Sequence, residues 1–489
     1  MHTKMKKIVT VIISSLLFTS CLNDFLDVEP VSDIATSTFW KTDNDVRAAL
    51  NSVYADFQTN YNKNSGGNYM TWFEMRSDNF IGTTVSSSMP TASANLNKLN
   101  SSHVSADWNV WYKSISTANY GLYYIPDMQG ITGKKKDNYL AEAYFLRAFC
   151  YFNLARIWGN VPLIEKPTLS LQDVEKPTQS PQAKVLELVG KDLEEAVRLV
   201  DEGQTDTYRF NAGALYALCT DYAMWMHDYE KAERYSGKLI DLKRYSLVKG
   251  TDFGKVCSDG TTSENIWTMK WSYQNNKQNW IIYMMCRTSA PQMIPTEGIK
   301  TLWNSEEYSK DLRRYQTIDT TIVYAANHIS APNGEASIWK WQPGERVIEA
   351  NEKYFPFYRY ADVLLLRAEA LNKLGRQGEA LDYLNMIRER AGLDIKTMDS
   401  FAQAADKTLA LEDAILQERQ LELLGEGHRW FDLIRTGRAM KVMNNYFQNY
   451  IEAQTSDVCP RFTEEWQLYW PVFYNNILEN ENLIQSGNY

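Results

Sequence analysis

Side-chain chemistry needs nucleophiles, acids or metal ligands at defined spacings, and this sequence offers few. The five histidines, His2, His103, His227, His328 and His428, are scattered, and no HExxH, GxSxG, P-loop or GxGxxG stretch is present. The six cysteines (Cys21, Cys150, Cys219, Cys257, Cys286 and Cys459) contain no CxxC. So unpatterned a set suits neither a zinc site nor a disulfide framework. Cys150 and Cys219 lie in apolar helical runs and read as core packing. The most chemistry-like stretch is GEGHRWFDLIR, with Glu426, His428, Arg429, Asp432 and Arg435. Steps of three from Arg429 to Asp432 to Arg435 place alternating charges on one helical face, an ion-pair ladder and not a catalytic set. Glu194-Glu195 and Glu306-Glu307 are ordinary surface pairs, and Lys134-Lys135-Lys136 reads as a solvated loop. No catalytic residue, metal or cofactor is expected.

Binding is the better reading. A sugar presents C–H faces and many hydroxyls, so its site needs flat aromatic platforms ringed by amides and charged groups. Fifteen Trp and thirty Tyr supply such surfaces, and those outside helical periodicity are the informative ones. NYMTWFEMRSDNFIG sets Tyr69 and Trp72 beside Arg76, Asp78 and Asn79. WSYQNNKQNWIIYMMCR sets Trp271, Tyr273, Trp280 and Tyr283 among Asn275, Asn276, Gln278 and Arg287. Trp72, Asn79, Asn275, Trp280, Tyr283 and Arg287 are therefore candidate ligand contacts, with packing as the alternative for each. Arg359, in YRYADV, either satisfies a buried carboxylate or reaches a ligand hydroxyl; the first reading is favoured, and it stays on the candidate list. Trp108 and Tyr112 share helical spacing with Ile115 and Asn119 and belong to the scaffold. Trp339 and Trp341 alternate as in a strand, with one pointing inward.

The elements that must position these residues are mostly helices. In YADVLLLRAEALNKLGRQGEALDYLNMIRERAGL, Val363, Leu364, Arg367, Ala368 and Leu371 recur at helical spacing, Gly375 breaks the run, and a second run ends at Gly392. That is a helical hairpin similar to a tetratricopeptide unit. Comparable patterns occur in YLAEAYFLRAFCYFNLARIWGN, in FNAGALYALCTDYAMWMHDYEKAERYSGKLIDL with a break near His227-Asp228, and in LEDAILQERQLELLGEGHRWFDLIRTGR with a break at Gly425 and Gly427. The expected fold is all-α dominated: tetratricopeptide-like helical hairpins form a right-handed scaffold, carrying long irregular aromatic-rich loop insertions. Residues 62–105 and 245–350 are those insertions, and the closing LYWPVFYNNILENENLIQSGNY is an irregular strip packed back onto the scaffold.

The chain opens with Lys4, Lys6 and Lys7, then an apolar run from Ile8 to Phe18 that is shorter than the ~20 residues of a membrane span. Thr19 and Ser20 precede Cys21, and FTSC resembles a bacterial lipoprotein signal in which Cys21 is lipidated, although Phe18 stands where leucine is usual. An ordinary signal followed by an incidental cysteine is the alternative. Over 489 residues, 60 Asp+Glu outnumber 51 Lys+Arg, and no acidic residue lies in the first twenty. So acidic a chain is a poor partner for nucleic acid.

FLDVEP, AEAYFLRAFCYFNLARIWGNVPLI, FYRYADVLLLRAEALN, ERQLELLGEGHRWFDLIRTG and LYWPVFYNNILENENLIQ, in that order, resemble segments of the SusD/RagB family of outer-membrane lipoproteins, with Trp470-Pro471-Val472 where the family usually has Pro-Ile-Pro. The resemblance implies a nutrient-binding lipoprotein anchored in the outer membrane and facing the cell exterior. It further implies that the protein captures an oligosaccharide and delivers it to a SusC-like TonB-dependent barrel, with ligands held near the two aromatic loops. A peptide ligand, a secreted polysaccharide hydrolase and a pure assembly scaffold are the rival functions. The expected division is a signal peptide at 1–20, a tether at 21–40 and one binding domain at 41–489, with its insertion at about 245–350.

Overall fold

The computed structural model describes residues 39–63, 67–82, 90–272, 279–282, 293–318, 338, 340–341, 353–453 and 458–489. In chain order the principal elements are α1 (Asp43–Asn62), β1 (Phe80–Gly82), α2 (Asn109–Tyr124), α3 (Gly133–Trp158), α4 (Gln182–Leu199), α5 (Ala212–Trp225) and α6 (Tyr229–Asp241). They continue with β2 (Asn265–Met269), β3 (Met293–Pro295), α7 (Glu297–Asn304), β4 (Phe355–Arg359), α8 (Tyr360–Lys373), α9 (Gln377–Arg390), α10 (Lys407–Glu422), α11 (Arg429–Arg435) and α12 (Ala439–Tyr446).

Helical periodicity dictates the scaffold, and the architecture is the helix-dominated one expected. Leu364, Ala368 and Leu371 of α8 face Ala380, Leu384 and Ile387 of α9, and all six are buried. The small alanines let the two axes approach, and the turn between them passes through Gly375 at φ +77°. The α5–α6 hairpin turns instead through His227 at φ +56°, with Asp228 capping α6 by accepting from the Lys231 N–H. Packing runs in series, α1 on α2, α2 on α3, α3 on α4, then α5 on α6, α6 on α8, and α8 on both α9 and α10. One hydrophobic cluster extends from Trp40 to Leu483. The C-terminal strip joins it through the Trp470 N–H, which donates to the Ile157 carbonyl (2.8 Å). No helix among the described residues is long and apolar enough to cross a membrane.

Three local expectations change. Lys134–Lys136 are the first turn of α3 and not a loop; Lys135 pairs with Asp43 of α1 (2.7 Å). The aromatic stretch after α1 is core and not surface: a short helix (Gly67–Tyr69) and a π-turn (Met70–Glu74) bury every residue from Gly67 to Glu74. The insertion also carries regular structure. β1 pairs antiparallel with β3 (Phe80 opposite Pro295, Gly82 opposite Met293), and β2 pairs antiparallel with β4. Trp341 is buried and stacks on Phe355, with centroids 6.4 Å apart. Trp339 lies outside the described residues.

Candidate functional site

Of the residues expected to touch ligand, Trp280 is the one that is both described and exposed (38%). Its backbone N–H donates to Asn62 Oδ1 (3.1 Å) at the end of α1, and the next two residues, Ile281 and Ile282, are buried. Asn275, Tyr283 and Arg287, like Cys21, lie outside the described residues. Trp72 requires correction. It is 0% exposed, wedged between Trp111 and Trp158, and its indole N–H donates to the Ser105 carbonyl (2.7 Å). The reason is that Trp72 sits on a π-turn in the core, whose lack of period resembles a loop in sequence alone. Arg76 beside it is equally enclosed: it donates to the carbonyls of Gln467 and Leu468 (2.6 and 3.0 Å), and burial pulls its guanidinium down to about 10.

Asn79 is also buried, at 1%. Its side-chain oxygen accepts from Gln420 Nε2 (3.0 Å), so it shapes the wall of a site and does not face a ligand. Arg359, likewise 1% exposed, sits at the centre of a buried charge cluster at the junction of β4 and α8. Its guanidinium donates to Glu426 Oε2 (2.6 Å), Glu264 Oε1 (2.6 Å), Glu422 Oε1 (2.5 Å) and the Glu422 carbonyl (2.6 Å). Arg313 joins by pairing with Asp311 (2.7 Å), Glu418 (2.6 Å) and Glu422 (2.9 Å). Arg390 pairs with Glu422, Arg388 with Glu418 (3.0 Å) and Lys340 with Glu426. Burial alone would raise Glu422 and Glu426, but the surrounding guanidinium and ammonium groups outweigh it and hold both carboxyls below their ordinary range. With every fork of Arg359 occupied, its role as a ligand contact is withdrawn.

The expected ladder on α11 is half realised. Asp432 does pair with Arg435 (2.6 Å), and also with Arg419 of α10 (2.8 Å). Arg429 turns away instead and donates from Nε and Nη2 to the two oxygens of Asp78 (2.8 and 3.0 Å). This pair forms one wall of a recess of about 400 Å³. The β1–β3 ladder sets its position: the Thr296 N–H donates to the Asn79 carbonyl (2.9 Å), and the Thr296 hydroxyl donates to the Asp78 carbonyl (2.8 Å). Gln417 and Gln420 of α10 project along a second wall, and Leu302, Leu416, Leu433 and Val442 make the apolar side. Tyr446 and Tyr450 close one end, with ring centroids 6.0 Å apart and planes at 26°. Burial pushes the Asp78 carboxyl up, but Arg429 outweighs it and keeps Asp78 ionised, below the usual range. The available signal for this recess is amides at i,i+3 on α10 and tyrosines at i,i+4 from the last residue of α12, polar groups on faces where a core helix would carry aliphatics.

Helical hairpins in series, an insertion fixed by buried charge, and a polar recess with an exposed tryptophan elsewhere define a tetratricopeptide-like binding scaffold. The chain belongs to the SusD family: the model described as "SusD family" matches residues 242–489, and that described as "Starch-binding associating with outer membrane" matches 24–221. SusD-like protein P38 of Formosa agariphila is 29% identical over 98% of both chains. Starch-binding protein SusD of Bacteroides thetaiotaomicron is 23% identical over 75% of this chain and 76% of its own. In fold the chain is similar to the solved surface glycan-binding protein A of B. thetaiotaomicron (TM-score 0.73, 20% identity, 92% of this chain and 100% of the other).

Proposed function

We propose that this protein is a non-catalytic, outer-membrane-associated binding protein that captures an oligosaccharide at the cell surface and delivers it to a SusC-like TonB-dependent barrel. The observation that carries the reading is the pair of family matches, which together take in nearly the whole chain, one bearing a starch-binding description. In this reading Cys21 is the lipid anchor, residues 21–40 the tether and 41–489 one binding domain. Trp280 supplies the stacking platform, and Asn275, Tyr283 and Arg287, close by in sequence, supply the polar contacts. A lost stacking ring weakens binding by ~0.5–1.5 kcal/mol beyond lost area, so Trp280→Ala should reduce affinity several-fold without changing stability. A glycan array probed with the protein, followed by calorimetry on wild type and Trp280→Ala, tests this. Binding to no glycan, with binding to members of a peptide library, would replace the oligosaccharide with a peptide.

A further inference from the structure

The recess between α7, α10 and α12 has no assigned occupant, and its chemistry narrows the choice. Both arginines on its wall are already committed to carboxylates: Arg429 to Asp78, and Arg438 to Glu412 (3.0 Å) and Asp413 (2.7 Å). An incoming anion would have to displace one of these partners. A cation meets the converse obstacle at Asp78, both of whose oxygens are taken by the Arg429 fork, and the other lining carboxylate, Asp413, is solvent-exposed and already paired with Arg438 through Oδ1. The groups left to recognise a ligand are the Gln417 amide, the side-chain oxygen of Gln420 (its nitrogen donates to Asn79), the side-chain nitrogen of Asn445 (its oxygen accepts from Asn449) and the Tyr450 ring, set opposite leucine and valine side chains. Amides both donate and accept, which suits hydroxyl groups, and an apolar wall suits the C–H face of a ring. A volume of about 400 Å³ is near the lower end of the ~300–1,000 Å³ typical of ligand pockets, enough for one ring and not a chain.

We infer that this recess is a second binding site, separate from the Trp280 platform, that holds one neutral hydroxylated ring: a single uncharged sugar unit, free or at the end of a chain. The inference rests on the proposed function only in taking sugars as the ligand available; the recess chemistry stands apart from it. Gly298 offers a clean way to close the site. It lines the recess within α7, and a Cβ there would meet nothing nearer than the Thr296 hydroxyl at 3.6 Å. Leucine at this position fills space at the mouth while raising helix propensity.

The test uses full-length protein in a detergent without a sugar headgroup, titrated by ligand-observed NMR. The probes are the methyl glycosides of glucose, galactose and xylose, with glucuronate and glucosamine as charged counterparts. At least one neutral glycoside should bind saturably. Gly298→Leu should abolish that binding, Gln417→Ala should weaken it about 3- to 10-fold for one lost neutral hydrogen bond, and Trp280→Ala should leave it unchanged. Failure of all three neutral glycosides to saturate, tighter binding of a charged probe, or undiminished binding in folded Gly298→Leu would each overturn the inference. Loss of oligosaccharide binding in Trp280→Ala is read separately and bears only on the platform, so the two ideas fail independently.

Discussion

Glu74 is a carboxyl with no ion-pair partner among the described residues. It lies fully buried in the π-turn, accepts the Gly427 N–H, and meets Asn79 Nδ2 at 3.5 Å. Burial pushes it up from 4.5 to about 8, against the lowering effect of those hydrogen bonds and of Lys340, so at neutral pH the native protein keeps this group protonated. The unfolded chain releases that proton above about pH 4.5, and the native state releases it only near pH 8. Between those limits the native state binds more protons, so stability falls as pH rises and then levels off. At ~1.36 kcal/mol per pKa unit, the loss is ~3 kcal/mol by pH 7 and up to ~5 kcal/mol by pH 8. Glu74→Gln keeps the shape and cannot ionise. Urea unfolding at pH 5, 6, 7 and 8 should show the variant gaining steadily on wild type, with every other titrating group shared and cancelling. A gap between the two proteins that stays constant across that range would refute the argument.

Trp72→Ala should lower stability by ~3–5 kcal/mol, as for a large core aromatic, whereas Trp280→Ala should shift it by less than ~0.5 kcal/mol; chemical denaturation separates the two. Arg359→Met leaves Glu264, Glu422 and Glu426 short of a buried partner and should cost ~3–5 kcal/mol, read from the denaturation midpoint, with a loss below ~1 kcal/mol counting against the cluster. Cys21→Ser should abolish incorporation of labelled palmitate and release the protein from the membrane fraction.

How much the sequence discloses depends on whether a signal is local. The α8–α9 hairpin is legible because its apolar residues repeat every three or four positions and Gly375 takes the left-handed turn that ends the first run. Trp72 is not legible. Its π-turn has no repeat, and burial is imposed by Trp111 and Trp158, residues from other helices. Arg359 is half legible: its place at a helix start shows in the sequence, but its partners Glu264, Glu422 and Glu426 lie 95, 63 and 67 positions away. Arg429 marks the same limit from the other side, since the nearby Asp432 offered a plausible partner and the distant Asp78 took the fork.

These long-range pairs explain how an insertion without helical periodicity keeps its place. Glu264, Asp311, Arg313 and Lys340 come from the 245–350 segment, and each meets a charge within the same buried cluster. The scaffold supplies Arg359, Arg388, Arg390, Glu418, Glu422 and Glu426. Across these groups five cations stand against five carboxylates, so no charge is left without an opposite neighbour. Apolar contacts would hold the segment with little preference for register, whereas a displaced ion pair leaves two buried charges uncompensated, at several kcal/mol each. The cluster therefore fixes where the insertion sits against α8, α9 and α10. β3 belongs to that same insertion and, paired with β1, sets the walls of the recess.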